Sequence, residues 1–597
     1  MRFKELWNDW AINSLIRVQG DVERLTLTLE GANITNSCVT FLMFHLRHSL
    51  KALSLRRCHL TSRVMEEFEY CSLKELDITH CNLHVRVLPW QLTSLKCHGN
   101  TLALERGGAL PSQLEELEAD GLDGSAVHHL VRLVSLSLRG PTKGLNLTHF
   151  PALRTLRLDG ANSTPEMLGT VPHELRSLHL APEAARLGPL LAIIQERCPQ
   201  LEELSLVVAS RAANLELLAC APALQSLRRL AVVAGPGAAE LLSALARSCP
   251  LLEQVQWLTS AGCGEMPVPQ PRLPAFLCEA ARFGLRTFNY TAPSQNDLDA
   301  VLAALCPCRQ LEHLRLAGGL FCTISEPQAR ALTAGTPALE VFGTDNVSVS
   351  PIGLCAACSG WPRLRVLILQ SGSPADPLDL AAVGAALPRL ETLALWRSCV
   401  RIPVLMAFLQ TARRLRVLHL QECCSPAANP GAPPPLAPPG AGPGFAPESC
   451  AGLVTDDVLE VLRGSWLRSL SLVDVFRPPG DNAECLVTQP SEQAFAELVA
   501  RFRFLVQLAI HGAPAFGDVA LRCLRERILG EDGHCSLRGV SLARNGLSSP
   551  WMAANLLDGV PVSILSKKPP SLAELWLHAV QPPERALRNP LSRSGYC

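Results

Sequence analysis

Leu50-Lys-Ala-Leu53-Ser-Leu55-Arg-Arg-Cys58-His-Leu-Thr61 and Leu73-Lys-Glu-Leu76-Asp-Ile78-Thr-His-Cys81-Asn-Leu83 are one pattern written twice, with first leucines 23 residues apart. The shared core, Leu-x-x-Leu-x-Leu or a close apolar variant, recurs about twenty-one times between Val22 and Leu577. Further clear copies are Leu153-Leu156-Leu158, Leu201-Leu204-Leu206, Leu311-Leu314-Leu316, Leu390-Leu393-Leu395, Leu415-Leu418-Leu420 and Leu467-Leu470-Leu472; Leu285-Phe288-Tyr290 and Leu537-Val540-Leu542 are weaker ones. Apolar residues at alternate positions read as a half-buried strand. Repetition at this period marks a solenoid, in which each unit buries its apolar face on its neighbours. The fold class that follows is α/β: a leucine-rich-repeat solenoid, or horseshoe, with a parallel concave sheet and helices or 3₁₀ turns on the convex face.

Spacing divides the array. First positions at 50, 73, 92, 114, 133, 153 and 175 give early repeats of 23, 19, 22, 19, 20 and 22 residues. From Leu175 onward the anchors 201, 227, 252, 285, 311, 339, 364, 390 and 415 give mostly 25 to 28. The shorter repeats have room for an extended or 3₁₀ return, and the longer ones for a helix. Pro189–Arg197 and Ala239–Arg247 are predicted helices: their apolar residues recur at three- and four-residue intervals, and an arginine in the last turn complements the helix dipole.

Composition limits what such a chain does. Lys plus Arg and Asp plus Glu both number 54, for a formal net charge of zero in 597 residues. That balance argues against nucleic acid or an anionic membrane as partner, since phosphate binding rests on surplus positive charge. No run approaches a membrane-spanning length, and Met1–Trp10 lacks the apolar core of a secretory signal. The 23 cysteines are an odd number without terminal clusters; Cys58, Cys81, Cys198, Cys249, Cys306 and Cys399 flank strand anchors, as small buried thiols packed at repeat corners do. A cytoplasmic or nuclear location is expected. Sequons at Asn33, Asn146, Asn162, Asn289 and Asn346 keep a secreted ectodomain as a third option.

The cysteines also point to a family. The arrangement Cys-Pro-x-Leu-x-x-Leu-x-Leu at Cys198–Leu206, its looser form at Cys306–Leu316, and a cysteine after the strand at Cys58 and Cys81 resemble the cysteine-containing repeats of F-box/leucine-rich-repeat proteins. The resemblance spans roughly Val22 to Leu577. In that family the repeats recognise a substrate, while an N-terminal F-box docks to the Skp-type adaptor of a cullin-RING ubiquitin ligase. The resemblance therefore implies the substrate-recognition component of an SCF-type ligase, with a protein substrate on the concave face and a Skp-type adaptor and cullin as further partners. Residues 1–21 are too few for a whole F-box, although Phe3-Lys-Glu-Leu-Trp7 is similar to its end, so either the F-box is encoded upstream of this sequence or the protein has only the repeats. They read equally as a hydrophobic cap, with Trp7 and Trp10 covering the first repeat. The alternative function is a repeat-only scaffold or inhibitor of the ribonuclease-inhibitor type.

The expected organisation is a cap at 1–21, an array at 22–428, a Pro/Gly-rich insertion at 429–447, further repeats at 448–580 and a disordered tail at 581–597. The insertion, Asn-Pro-Gly-Ala-Pro-Pro-Pro-Leu-Ala-Pro-Pro-Gly-Ala-Gly-Pro-Gly-Phe-Ala-Pro, lacks the donors a sheet needs. It stretches the interval from Leu415 to Leu467 to 52 residues, which equals two repeats or one repeat plus a loop. Smaller insertions are read around Arg477–Asp481 and Gly264–Pro274.

Motifs for catalysis are missing: no His-Glu-x-x-His, Gly-x-Ser-x-Gly or glycine-rich phosphate loop occurs. Cys355-Ala-Ala-Cys358 has metal or redox spacing but no second pair, and His128, His129 and His173 stand isolated. The chain is expected to be non-catalytic, without cofactor or metal. The partner site is placed by register, since the third, fifth and seventh positions of each repeat alternate away from the leucines. In three successive repeats these are Val366, Ile368 and Gln370, then Thr392, Ala394 and Trp396, then Val417, His419 and Gln421. That strip is apolar with an aromatic anchor, as interface hot spots are. Either it is the docking surface, or the neighbouring insertion covers Trp396 and the patch is internal packing. Thr155, Arg157, Asp159, His313 and Arg315 mark more charged repeats.

Overall fold

A computed structural model describes the chain from residue 2 to 545, apart from 5–24, 31–35, 103–108, 160–163, 182–186, 209–223, 235–248, 260–283, 371–376, 427–449, 477–489, 530–536 and a few single positions. The expected helix at Ala239–Arg247, the insertion at 429–447, both smaller insertions and the tail lie outside the described residues. The chain divides into two compact units, 1–283 and 284–597.

Within each unit the repeats pair as parallel strands with their leucines in register. In the first unit Leu53 stands opposite Leu76, Leu76 opposite Leu95, Leu95 opposite Leu117, and so on through Leu136, Leu156, Leu178, Leu204 and Leu230 to Val255. In the second unit the equivalent row is Phe288, Leu314, Phe342, Leu367, Leu393, Leu418, Leu470, Leu508 and Val540. These residues are essentially excluded from solvent. Each strand alone is too short to hold its shape; stacking turns its leucines into a continuous core. The chain is a leucine-rich-repeat solenoid.

Return segments follow the lengths predicted for them. The short early repeats use 3₁₀ turns at Ser62–Phe68 and Leu147–His149 and a single helical turn at Pro165–Leu168. The longer ones use helices, beginning with Leu187–Arg197, which contains the predicted segment and carries Arg197 in its last turn. An additional helix at Asn36–Leu46 precedes the short repeats. In the second unit helices return at Gln295–Leu305, Glu326–Gly335, Pro351–Gly360, Leu380–Ala386, Ile402–Thr411, Asp456–Arg463, Glu492–Arg501 and Asp518–Leu529. Ser294, Ser350, Asp379 and Ser491 cap four of them by accepting a first-turn N–H.

Two recurrent devices set the repeat boundary. Many strands are entered through a tight turn in which the repeat's first leucine donates its N–H three residues back, as Leu201 does to Cys198 (3.2 Å), Leu252 to Cys249 (3.1 Å) and Leu364 to Trp361 (3.1 Å). Several are left through a residue at positive φ: Arg57, His80, Arg397, Glu422 and Asp474 lie between 49 and 56°. Their N–H groups still reach the next repeat (Arg57 to Thr79 O at 3.0 Å, Glu422 to Val473 O at 2.8 Å), so the ladder outlasts the strand by one bond.

The cysteines act at this corner. Cys81 Sγ donates to Leu55 O (3.4 Å) and Cys423 Sγ to Leu395 O (3.3 Å), each bonding back to the preceding repeat. Asn545 Nδ2 does the same to Ile510 O (3.0 Å). Asn100 donates to Ile78 O and to His98 O (3.0 Å), while its Oδ1 accepts from Leu83 N (2.9 Å). Replacing Asn100 by Ala leaves the Leu83 N–H without that acceptor and is expected to destabilise the first unit by about 2 kcal/mol. Asn100→Cys, which keeps the donor that Cys81 supplies one repeat earlier, should recover part of the loss. Equal urea midpoints for the two variants would show that the corner donor contributes nothing.

At the long interval Val417–Gln421 pairs directly with Ser469–Val473, so the 52 residues are one repeat plus a loop. A two-stranded antiparallel ribbon, Cys424–Pro426 with Cys450–Gly452, brings together the two ends of the segment 427–449. Arg2–Lys4 is a strand paired in parallel with Leu25–Glu30. Its first residue of F-box likeness, Phe3, thus lies in extended backbone and not in a terminal helix; Glu5–Trp10 lie outside the described residues.

Candidate functional site

The residues that alternate with the leucines form the other face of each row of strands, and its composition varies along the chain. In the second unit the expected strip is correctly placed in register: Val366, Thr392 and Val417 are neighbours, as are Gln370, Trp396 and Gln421. Its exposure differs from expectation. Val366 (5%), Ile368 (3%), Gln370 (6%) and His419 (1%) are buried, Ala394 is fully so, and Thr392, Trp396, Val417 and Gln421 are half-buried. Strands about 4.8 Å apart bring like positions into contact. Val341, Val366, Ile368 and Ala394 therefore cluster, with Trp396 and Val417 packed against them. Val366–Gln370 is buried at every position, unlike the alternating Thr155–Asp159 strand.

What remains accessible is a half-buried indole framed by charge. The Arg397 guanidinium carbon lies 5.4 Å from the Trp396 ring centroid, and Arg397 Nε donates to Glu422 at 2.8 Å. Burial raises the Glu422 pKa, but the hydrogen bond and charge of Arg397 outweigh it and hold the carboxyl below its usual range. The His419 ring nitrogens have no hydrogen-bond partner of normal geometry among the described residues. Burial pushes its pKa down to about 4, against a weaker opposing pull from Gln421.

Several repeats of the first unit carry ion pairs on the same face, as Arg315 and Asp345 (3.0 Å) do in the second. Asp77 accepts from Arg56 Nε (3.0 Å) and Ser54 (3.1 Å). Two repeats on, Glu118 pairs with Lys96 and with His98 Nε2 (3.2 Å), while His98 Nδ1 meets Asp120 at 3.0 Å. Burial opposes ionisation of Glu118, yet the bonds from His98 and Lys96 pull its pKa down to about 2. Asp159 gathers Arg139 (3.7 Å), Arg157 (3.6 Å) and His179 (3.5 Å), and is likewise held low despite burial. His98, Glu118, Asp120 and His179 were not singled out from the sequence. The signal was present: His98, Glu118 and Asp120 hold fifth and seventh positions of two successive repeats, about 20 residues apart in the chain, and His179 holds a fifth position three repeats further on.

Most of the described thiols are buried. Cys358 is buried on the Pro351–Gly360 helix, and burial raises both its pKa and that of Cys355, the reverse of a reactive thiolate. Burial also pushes Cys198 and Cys249 up to about 12. His129 Nε2 and His173 Nδ1 meet the backbone oxygens of Leu110 (2.7 Å) and Arg197 (3.0 Å). No His/Cys/Asp/Glu group with metal-holding geometry occurs among the described residues. No helix there is long and apolar enough to cross a membrane.

No family model and no curated protein matches the chain. Among solved structures, the chain is similar to one described as the crystal structure of the Rad7 and Elc1 complex in yeast. The match has a TM-score of 0.37 at 14% identity and covers 62% of this chain and 85% of that one.

Proposed function

We propose that the chain is a non-catalytic subunit that binds a protein partner on the strand face, with the strip Val366, Ile368, Gln370, Thr392, Trp396, Val417, His419 and Gln421 as its anchor. The observation that supports this most is the in-register ladder, which presents a regular array of side chains over many repeats. Within the strip, the half-buried Trp396 beside the Arg397–Glu422 pair has hot-spot composition: an aromatic with a charged rim. The resemblance of the cysteine-containing repeats to those of F-box proteins makes the substrate-recognition component of an SCF-type ubiquitin ligase the specific form of this proposal. Catalysis then lies elsewhere in the ligase, and the solenoid contributes proximity, in the cytoplasm or nucleus. The second reading is a repeat-only scaffold or inhibitor, for which the same ladder is sufficient by itself.

The two readings part on purification of the full-length chain from cells with identification of its companions. A Skp-type adaptor and a cullin in stoichiometric amounts support the ligase; a substrate-like partner without either supports the scaffold. Trp396→Ala is expected to weaken binding of the recovered partner at least tenfold, or about 2 kcal/mol. Because the indole packs on the Val366 cluster, its removal also lowers stability, and affinity must be compared where both proteins are folded. Unchanged affinity removes Trp396 from the site.

A further inference from the structure

On the edge where the chain enters each strand, the residue after the repeat's first leucine forms a row of charges. In the second unit backbone bonds fix its order: Glu391 N to Arg365 O (2.8 Å), Arg416 N to Glu391 O (2.7 Å), Arg468 N to Arg416 O (2.7 Å) and Val506 N to Arg468 O (2.7 Å). Earlier in this row opposite charges meet, Arg286 with Glu312 (3.4 Å) and Arg365 with Glu340 (3.8 Å), and Glu391 stands next to Arg416. There the compensation stops. Arg468 follows Arg416 directly, and the exposed Arg413 and Arg414 lie in the turn just before Arg416. Among the described residues no carboxylate pairs with Arg413, Arg414 or Arg468. At the same place Trp466 and Phe504, each immediately before its repeat's first leucine, stack with centroids 4.8 Å apart and planes 20° apart. They are 54% and 45% exposed, among the most exposed large apolar side chains of the unit. Arg416 Nη1 donates to Trp466 O (3.1 Å), tying the basic row to the aromatic pair.

We propose that this edge binds an acidic segment of a protein partner, its carboxylates on Arg413, Arg414, Arg416 and Arg468 and an apolar side chain against Trp466 and Phe504. A carboxylate on Arg468 continues the alternation that the row already shows at Arg286–Glu312, and guanidinium groups take carboxylates in paired hydrogen bonds. Arginine beside exposed aromatic surface is also the composition of binding hot spots. Nucleic acid fits less well, since the chain as a whole carries no positive surplus. The surface is separate from the Trp396 strip, so its failure leaves the reading of that strip standing.

Fluorescence anisotropy on the full-length chain tests this with three labelled probes: a peptide of aspartate and glutamate with a central leucine, its asparagine and glutamine counterpart, and oligo-dT. Saturable binding of the acidic peptide alone is expected, weakened by added salt. Arg414→Glu and Arg468→Glu should each weaken it about tenfold by placing like charges across the contact. Trp466→Ala should cost a similar factor. Arg330→Glu, on the exposed face of the Glu326–Gly335 helix, should leave it unchanged. All four changes are at exposed side chains, so circular dichroism should not move. Equal binding of the acidic and neutral peptides, indifference to Arg468→Glu, or tighter binding of oligo-dT than of the acidic peptide each overturns the proposal.

Discussion

Trp361→Ala is expected to destabilise the second unit by about 3–5 kcal/mol, the range for emptying a large buried aromatic site. Trp361 is 1% exposed and sits where the Pro351–Gly360 helix turns into the Val366–Gln370 strand. Its ring packs on Phe342 of the preceding strand at 4.8 Å between centroids. Nε1 donates to Thr336 Oγ1 (3.1 Å), and the fully buried Thr336 hydroxyl donates in turn to Leu332 O (2.8 Å). One side chain thus joins two repeats by packing and by a hydrogen-bond relay. Thr336→Val separates the contributions: the indole N–H stays buried without its acceptor, at a cost of about 1–3 kcal/mol. Adding Trp361→Phe to Thr336→Val removes the stranded donor and should cost less than the two single changes summed. Repeat arrays do not unfold in one step, so urea melts should be read beside hydrogen exchange of the Val366–Gln370 amides. A loss below about 1 kcal/mol for Trp361→Ala is incompatible with a filled site of this size.

Acid should weaken the same unit before its carboxylates titrate. His419 is neutral in the fold, with a pKa of about 4 set by burial, against about 6.5 in the unfolded chain. Its folded pKa is depressed, so stability is whole above pH 6.5 and falls as the pH drops toward 4, because the unfolded chain takes up the proton first. His313 behaves alike: burial, and then the charge of Arg365, lower its pKa to about 4. Two and a half units correspond to about 3 kcal/mol per histidine over that window. His419→Leu should flatten the decline between pH 6.5 and 4 by roughly half, with little change at neutral pH in the sign of stability. A melting profile of identical slope in wild type and His419→Leu would mean that the imidazole is protonated in the fold.

The repeats were legible because leucine spacing records both the strand and its partner. Leu367, Leu393 and Leu418 fall into register as soon as first positions are aligned. Return lengths separated 3₁₀ turns such as Ser62–Phe68 from helices such as Leu187–Arg197. Exposure was not legible. Counting alternate positions treats each strand alone, whereas Val366, Ile368 and Ala394 cover one another across strands. The Glu118–His98–Asp120 cluster escaped for a related reason, since its members acquire meaning only when two repeats are superposed. The basic edge at Arg468 is a break in a charge alternation, which a single repeat cannot display.

The antiparallel ribbon of Cys424–Pro426 with Cys450–Gly452 has an evolutionary corollary. Because it clasps the chain before and after 427–449, the neighbouring rungs meet the same backbone whatever length is inserted between. Closure entropy grows only logarithmically with that length, so a doubling costs about 0.6 kcal/mol. The clasp converts this corner into a docking port for new sequence, where a lineage can append or exchange a whole appendage while the rungs on either side keep their positions.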